Sequence, residues 1–275
     1  MSNDVPTGVS QVSGIKIGEL VVLVVEPSPT QRRLICRALH ENGVENLLEQ
    51  DSGEGALGVL AEQEPDLVIS SLYLPDMTGT DLVMRIRESA QYADTPFLLI
   101  SSETRFRYLD PIRQAGVVAI LPKPFTSAEL ATALRSTLDI LGDEEDGEEL
   151  ADQALRVLVV DDSSFSRKHV TRVLNSLGIT QVDHAENGVE ALALIREHLY
   201  DFVVTDYNMP QMDGGELIDH IRHDTDQASV PVLMVTSEEN ENRLAAVQAS
   251  GVSAICDKPF EPAMVRNLVR NMVTG

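Results

Sequence analysis

The chain contains no tryptophan, and aromatic residues make up only 4% of its 275 positions. Its cores must therefore be built from Val, Leu, Ile and Ala, which an apolar content of 43% supplies. Cysteine is nearly absent as well. Cys36 and Cys256 have no metal-ligand spacing and no framework of partners, which excludes a disulfide scaffold and fits a reduced, cytosolic compartment. No apolar run is long enough to span a bilayer: the longest, Leu20 to Val25, falls far short of the roughly 20 residues required. The segment MSNDVPTGVSQVSG lacks the basic region and apolar stretch of a signal peptide. Basic residues are scarce, 21 against 44 acidic, for a formal net charge of -23. Such a surface repels nucleic-acid phosphates and anionic lipid, so neither is expected as a partner. A soluble, cytoplasmic protein is the expectation.

What is present is one unit written twice. Glu26 to Ser71 spans the same 45 positions as Asp161 to Asp206, Ser71 to Ser101 the same 30 as Asp206 to Thr236, and Ser101 to Lys123 the same 22 as Thr236 to Lys258. Each pair is offset by 135 residues, and so are Gly43/Gly178, Gly53/Gly188, Pro75/Pro210, Gly79/Gly214, Pro96/Pro231 and Phe125/Phe260. Roughly a third of aligned positions are identical without an insertion, which marks a true internal repeat.

Each copy alternates short apolar strands with helical-period stretches. In the second, strands are expected at Arg156–Val160, Gln181–Ala185, Phe202–Thr205, Val232–Thr236 and Ala254–Cys256, all as buried strands. Helices are expected at Ser164–Leu177, Gly188–Glu197, Gly214–His223, Asn240–Ala249 and Pro262–Met272. Alternating βα units predict a parallel sheet covered on both faces, hence an α/β doubly wound fold with its active crevice at the carboxyl ends of the strands. The expected organisation is a flexible tail (1–18), a first domain (19–141), an acidic linker (142–153, with GDEEDGEEL) and a second domain (154–275).

The strand ends of the second copy carry the chemistry. The first strand ends on Asp161-Asp162, the third on Thr205-Asp206, the fourth on Thr236-Ser237, and the fifth leads into Asp257-Lys258-Pro259-Phe260. Taken singly, an acidic pair before a helix is most often a cap, and a lysine before proline is any surface cation. Together they converge on one edge of the sheet. Three carboxylates gathered there repel one another by several kcal/mol at an effective dielectric of about 20, which calls for a divalent cation. Magnesium suits hard oxygen ligands and retained waters. A carboxylate so placed can attack a phosphoryl group, with Lys258 neutralising an oxygen and Thr236 donating its hydroxyl to another.

With these motifs, and with VVTDYNMPQMDG around the third strand, each copy resembles the CheY-like receiver domains of two-component response regulators over about 120 residues. The resemblance implies a flavodoxin-like (βα)5 domain with a five-stranded sheet in each copy. It implies Asp206 as phospho-acceptor, and magnesium held by Asp162, Asp206 and the backbone carbonyl of Asn208, with Asp161 helping through water. It also places Asn208 and Glu238 where they face the water that removes the phosphoryl. The implied partners are a sensor histidine kinase or histidine phosphotransfer protein, a downstream protein, and a second copy of the chain. One departure stands out: the family's signalling aromatic three residues before the lysine is Ile255 here.

The first copy keeps the scaffold and departs at the site. Glu26-Pro27 replaces the acidic pair and Ser71 the acceptor. Ser71 is expected to lack a neighbouring base and Lys123 a carboxylate partner, making this half a non-phosphorylatable pseudo-receiver. Pro111 is expected to kink or shorten the helix over Thr104–Ala115, near Phe106 and Tyr108, which read either as a contact surface or as buried aromatics. The expected function is phosphorelay signalling through protein contacts, not turnover catalysis, with no output domain in this chain. Competing readings are an aspartate phosphatase, whose Asp-x-Asp arrangement Asp161-Asp162-Ser163 does not match, a constitutive scaffold, and a piece of a longer regulator.

Overall fold

The computed structural model describes residues 16–103, 105–141, 155–236, 245, 247–258 and 267–269. The expected linker (142–153) and most of the last two expected helices lie outside these residues. In the first half, β1 (Val21–Val25), β2 (Asn46–Gln50), β3 (Leu67–Ser71), β4 (Phe97–Ser101) and β5 (Ala119–Pro122) alternate with α1 (Pro29–Glu41), α2 (Gly53–Gln63), α3 (Gly79–Glu88), α4 (Phe106–Gln114) and α5 (Ser127–Leu141). In the second, β6 (Arg156–Val160), β7 (Gln181–Ala185), β8 (Phe202–Thr205), β9 (Val232–Thr236) and β10 (Ala254–Asp257) accompany α6 (Ser164–Asn175), α7 (Gly188–Glu197) and α8 (Gly214–Asp224).

Both sheets are five-stranded, with the orders β2-β1-β3-β4-β5 and β7-β6-β8-β9-β10. Every strand pair is parallel. The order reverses at the first strand of each half, and in such sheets that reversal opens the crevice where ligands bind. Two apolar layers cover each sheet. In the second half, Leu158, Val160, Val203, Leu217 and Ile221 fill one side, and Val157, Val159, Phe202, Val173 and Leu174 the other.

The helices start where short polar side chains cap them. Ser28, Ser52, Thr78, Ser163, Asn187 and Asp213 each accept a hydrogen bond from the amide three residues on. Thr78 with Asp81, and Asp213 with Glu216, close the reciprocal version of this cap. The caps fix where each loop at the carboxyl edge ends, and so the position of the strand-end side chains.

Some expectations need correction. β7 was expected to be buried, but it is an edge strand with only Ala185 fully covered, as is β2 in the first half, where no residue is. The helix after β6 ends at Asn175 rather than Leu177, because Gly178 (φ 81) turns the chain. The expected tail reaches too far: Ile17–Glu19 forms a 3-10 turn, and Ile17 packs against the first core. Pro111 does sit inside a helix, α4, of 9 residues. Tyr108 is 37% exposed, with the Arg105 guanidinium 4.5 Å from its ring centre.

Candidate functional site

The register of the central strands builds the site. Val160 pairs with Thr205, so the next residues, Asp161 and Asp206, emerge side by side, and the Asp206 amide donates to the Val160 carbonyl at 2.8 Å. Asp161, Asp162 and Asp206 each offer an oxygen, all within 4.8 Å of one another. Asp161 and Asp206 are buried, whereas Asp162 faces solvent.

Lys258 sits among them with its side chain 3% exposed, its Nζ 2.7 Å from Asp161 Oδ2 and 3.0 Å from Asp206 Oδ2. The Asp161 contact is an aligned hydrogen bond; that to Asp206 Oδ2 is not, leaving a buried carboxylate oxygen without a hydrogen bond among the described residues. Asp206 Oδ1 accepts from the Tyr207 amide at 2.7 Å, and Asp161 Oδ1 from the Ser163 amide at 2.8 Å.

One ammonium cannot balance three acids, and the proton affinities record the imbalance. Burial, with the Asp161 charge behind it, pushes Asp206 far above the usual carboxylate range, and Lys258 only partly opposes this. Partial burial and then Asp161 raise Asp162 as well. For Lys258, burial alone would favour loss of the proton, but Asp161 and Asp206 more than offset it and hold the ammonium charged. Clustered acids with raised proton affinity and a buried oxygen lacking a hydrogen bond match the donor set of a small hard dication.

The remaining expected residues fall around this centre. Thr236, fully buried, ends β9 opposite Asp257, and its carbonyl accepts from the Lys258 amide at 2.7 Å. Asn208 is half-buried in the loop after β8. Gly214 closes that loop where no side chain fits: a Cβ there would lie 2.2 Å from the Asp206 carbonyl oxygen. Ser237, Glu238, Pro259 and Phe260 lie outside the described residues. Ile255 is half-buried and packs against the core. Ile255→Ala should therefore cost about 1–2 kcal/mol in denaturant unfolding and leave chemistry at Asp206 unchanged. A loss of phosphoryl uptake in that variant would show that Ile255 does more than pack.

One positioning residue escaped the sequence reading. Arg167 donates to the carbonyl of Asp161 and pairs with Glu186 at 2.9 Å, fixing the loop that carries the acidic pair. Arg32 does the same in the first half, donating to the Glu26 carbonyl at 2.6 Å and pairing with Glu49 at 3.0 Å. These arginines are themselves offset by 135 residues, a signal open to sequence comparison alone.

The first half corrects two expectations. Ser71 does have a neighbouring acceptor, since its hydroxyl donates to Glu26 Oε2. Lys123 does have a carboxylate partner: its Nζ lies 2.8 Å from the same Glu26 oxygen, 3.1 Å from Ser71 Oγ and 2.6 Å from Gln31 Oε1. Glutamate is one methylene longer than aspartate, so Glu26 reaches across to the acceptor position from the first strand. Burial opposes its ionisation, but Lys123, Ser71 and the Ser28 amide hold it below the usual carboxylate range. The second half has acids in excess of its lysine; here acid and base are balanced.

The profile of the response regulator receiver domain matches residues 22–135 and again 157–270. The chain belongs to the response regulator receiver family. Among relatives of these receiver domains, chemotaxis protein CheY-3 of Vibrio cholerae is 35% identical over 119 residues, 43% of this chain and 92% of that one. Chemotaxis protein CheY of Pseudomonas aeruginosa is 33% identical over 118 residues, covering 43% of this chain and 95% of its own length. A solved structure of CheY4 from Vibrio cholerae shares 31% identity, covering 44% of this chain and 99% of that one, with a TM-score of 0.41. No described helix is long and apolar enough to cross a membrane.

Proposed function

We propose that this chain is a phosphorylation-controlled signalling protein whose second receiver domain accepts a phosphoryl group on Asp206. The observation that carries this reading is the convergence of three carboxylate oxygens within 4.8 Å around a buried lysine. The donor is a phosphohistidine, on a sensor histidine kinase or a phosphotransfer protein. An Asp206 oxygen forms the new O–P bond as the N–P bond breaks, and the released imidazole takes up a proton. The Tyr207 amide orients the attacking carboxylate, and Lys258 and Thr236 face the phosphoryl oxygens. Asp161, Asp162, Asp206 and the Asn208 carbonyl would hold magnesium, whose charge would offset the negative charge that the acids and the phosphoryl oxygens bring together. Asn208 and Glu238 orient the water that later attacks phosphorus, breaks the O–P bond and regenerates Asp206. This is self-limited switching, not turnover of a free substrate.

The first domain is a receiver without an acceptor. Glu26 is a weak base toward the Ser71 hydroxyl, because its ion pair with Lys123 favours the ionised form, and the same pair leaves no acid excess for a dication. It serves as a docking or regulatory module, and the output is a changed protein–protein contact with a downstream partner.

Intact-mass measurement with magnesium and acetyl phosphate should show one added phosphoryl on the full chain. Asp206→Asn should abolish the addition, and Ser71→Ala should leave it unchanged. Persistence of the added mass in Asp206→Asn would refute the assignment.

A further inference from the structure

The two halves have diverged into complementary shapes at a point next to the acidic cluster. Arg87, near the end of α3, spends its guanidinium edge on four backbone carbonyls: those of Ala115 at 3.0 Å, Ala93 and Thr95 at 2.8 Å, and Gly116 at 2.7 Å. In-plane hydrogen bonds leave the flat face of the cation open, and the ring of Phe165 from the second half lies over it, 4.0 Å from centroid to carbon. Val118 packs against Phe165, which is only 4% exposed. Among the described residues, Phe165 belongs to neither core cluster of its own domain and clusters with Val118 of the first half instead, with His169 meeting its ring edge-on.

Gly116 lets side chains from the start of α6 close on the backbone of the first half. A Cβ there would stand 2.7 Å from the Phe165 ring and 3.2 Å from both Ser163 Oγ and Ser166 Oγ, and its φ of +73 suits glycine. Lys168, one turn along α6, pairs with Asp94 at the edge of the same socket.

Comparison at the 135-residue offset shows that this contact was built once and in one direction. Both halves keep the arginine and the glycine: Arg222 donates to the Gly251 carbonyl at 2.8 Å, as Arg87 does to that of Gly116. The rest differs. Thr30 stands where the second half has Phe165, so the first half has no aromatic plug. Ser253 and Ser229 stand where the first half has Val118 and Asp94, so the second half lacks the apolar wall and the acid of the socket. Plug and socket are thus each complete on only one domain, and they fit each other.

The joint touches the candidate acceptor site through two hydrogen bonds. Ser163, under Gly116, caps α6 by accepting from the Ser166 amide, and its own amide donates to Asp161 Oδ1 at 2.8 Å. Any change that draws on the Asp161 carboxylate therefore pulls on the turn that seats the first domain.

We propose that Phe165 is the plug of a built-in joint, seated in the Arg87–Gly116–Val118 socket, through which occupancy of the Asp206 site sets the docking of the first domain. This rests on the reading of Asp206 as acceptor, and by reciprocity docking also sets how readily that site is filled. The test is small-angle scattering on the full chain for wild type, Phe165→Ala, Lys168→Asp and the double Lys168→Asp/Asp94→Lys. Each is measured with and without magnesium and acetyl phosphate, with intact mass recorded on the same samples. Wild type without phosphodonor should be compact, Phe165→Ala should have a larger radius of gyration with an unchanged circular dichroism spectrum, and the double charge exchange should return the compactness lost in Lys168→Asp. Phosphorylated wild type should differ in radius from unphosphorylated wild type, and Phe165→Ala should not. Equal radii for unphosphorylated wild type and Phe165→Ala would overturn the joint. Equal radii for wild type with and without one added phosphoryl would overturn the coupling and leave Asp206 standing as acceptor. Absence of any added mass would overturn the acceptor reading and the coupling together, while the unphosphorylated pair still judges the joint.

Discussion

Without divalent metal at pH 8, Asp206→Asn should be more stable than the wild type, by on the order of 2–4 kcal/mol, or roughly 10 °C in the midpoint of the second domain. The sign follows from the raised proton affinity of Asp206, whose folded value stands at about 7. A carboxyl with a raised folded pKa contributes stability below its unfolded value, near 4, and loses that contribution as pH rises through the folded value. At pH 8 the folded wild type therefore carries a buried charge that the unfolded chain holds at no cost. Asparagine keeps the shape and removes the charge. The difference between variant and wild type should be small at pH 4 and grow up to pH 7, then level off. Magnesium should raise the melting temperature of the wild type and have little effect on the variant. Calorimetry across this pH range, with and without chelator, checks all three points. A variant less stable than the wild type at pH 8 would mean that Lys258 fully balances the cluster.

The opposite change, removing the cation, should be the most damaging single substitution at the site. Lys258→Met keeps the length and apolar stem but leaves Asp161 and Asp206 buried without their ammonium. Breaking a buried ion pair from one side costs about 3–5 kcal/mol, because the abandoned charge stays out of water. Lys123→Met in the first half is the internal control. Its side chain is 25% exposed and pairs with a single acid, so the expected cost is about 1–2 kcal/mol. Adding Asp206→Asn to Lys258→Met should recover part of the loss, a coupling that denaturant unfolding of the four species measures. Equal costs for the two lysines would contradict the charge imbalance inferred for the second half.

The repeat makes much of this legible in the sequence alone. An offset of 135 residues aligns Asp161 with Glu26, Asp206 with Ser71 and Lys258 with Lys123, and runs such as VVLVV and RVLVV mark the central strands. The edge strands were harder to read, because NLLEQ and QVDHA face neighbours on one side only and alternate too weakly to report how much they bury. The Glu26–Ser71 hydrogen bond was hidden for another reason. A motif comparison scores Glu26-Pro27 as a lost acidic pair and is blind to the extra methylene that carries the carboxylate to Ser71. The Phe165 socket was out of reach altogether. Periodicity within a domain describes its own core, and Arg87 and Phe165 meet only because of how two separately folded units are placed.

The Glu26–Ser71–Lys123 trio also bears on how the first half tolerates substitution. Replacing Ser71 with aspartate would set a second carboxylate against the Glu26 oxygen that the Ser71 hydroxyl now binds. Shortening Glu26 to aspartate first would withdraw the acceptor from the Ser71 hydroxyl and disturb the Lys123 ion pair. Replacing Pro27 with an acid first would add a charge with no cation to receive it. Each single step toward the second half's residues is worse than the present arrangement until several are taken together. The trio therefore behaves as a latch: three mutually dependent side chains hold the pocket closed, and neither Glu26 nor Ser71 can be exchanged for its counterpart in the second half without disturbing the other two.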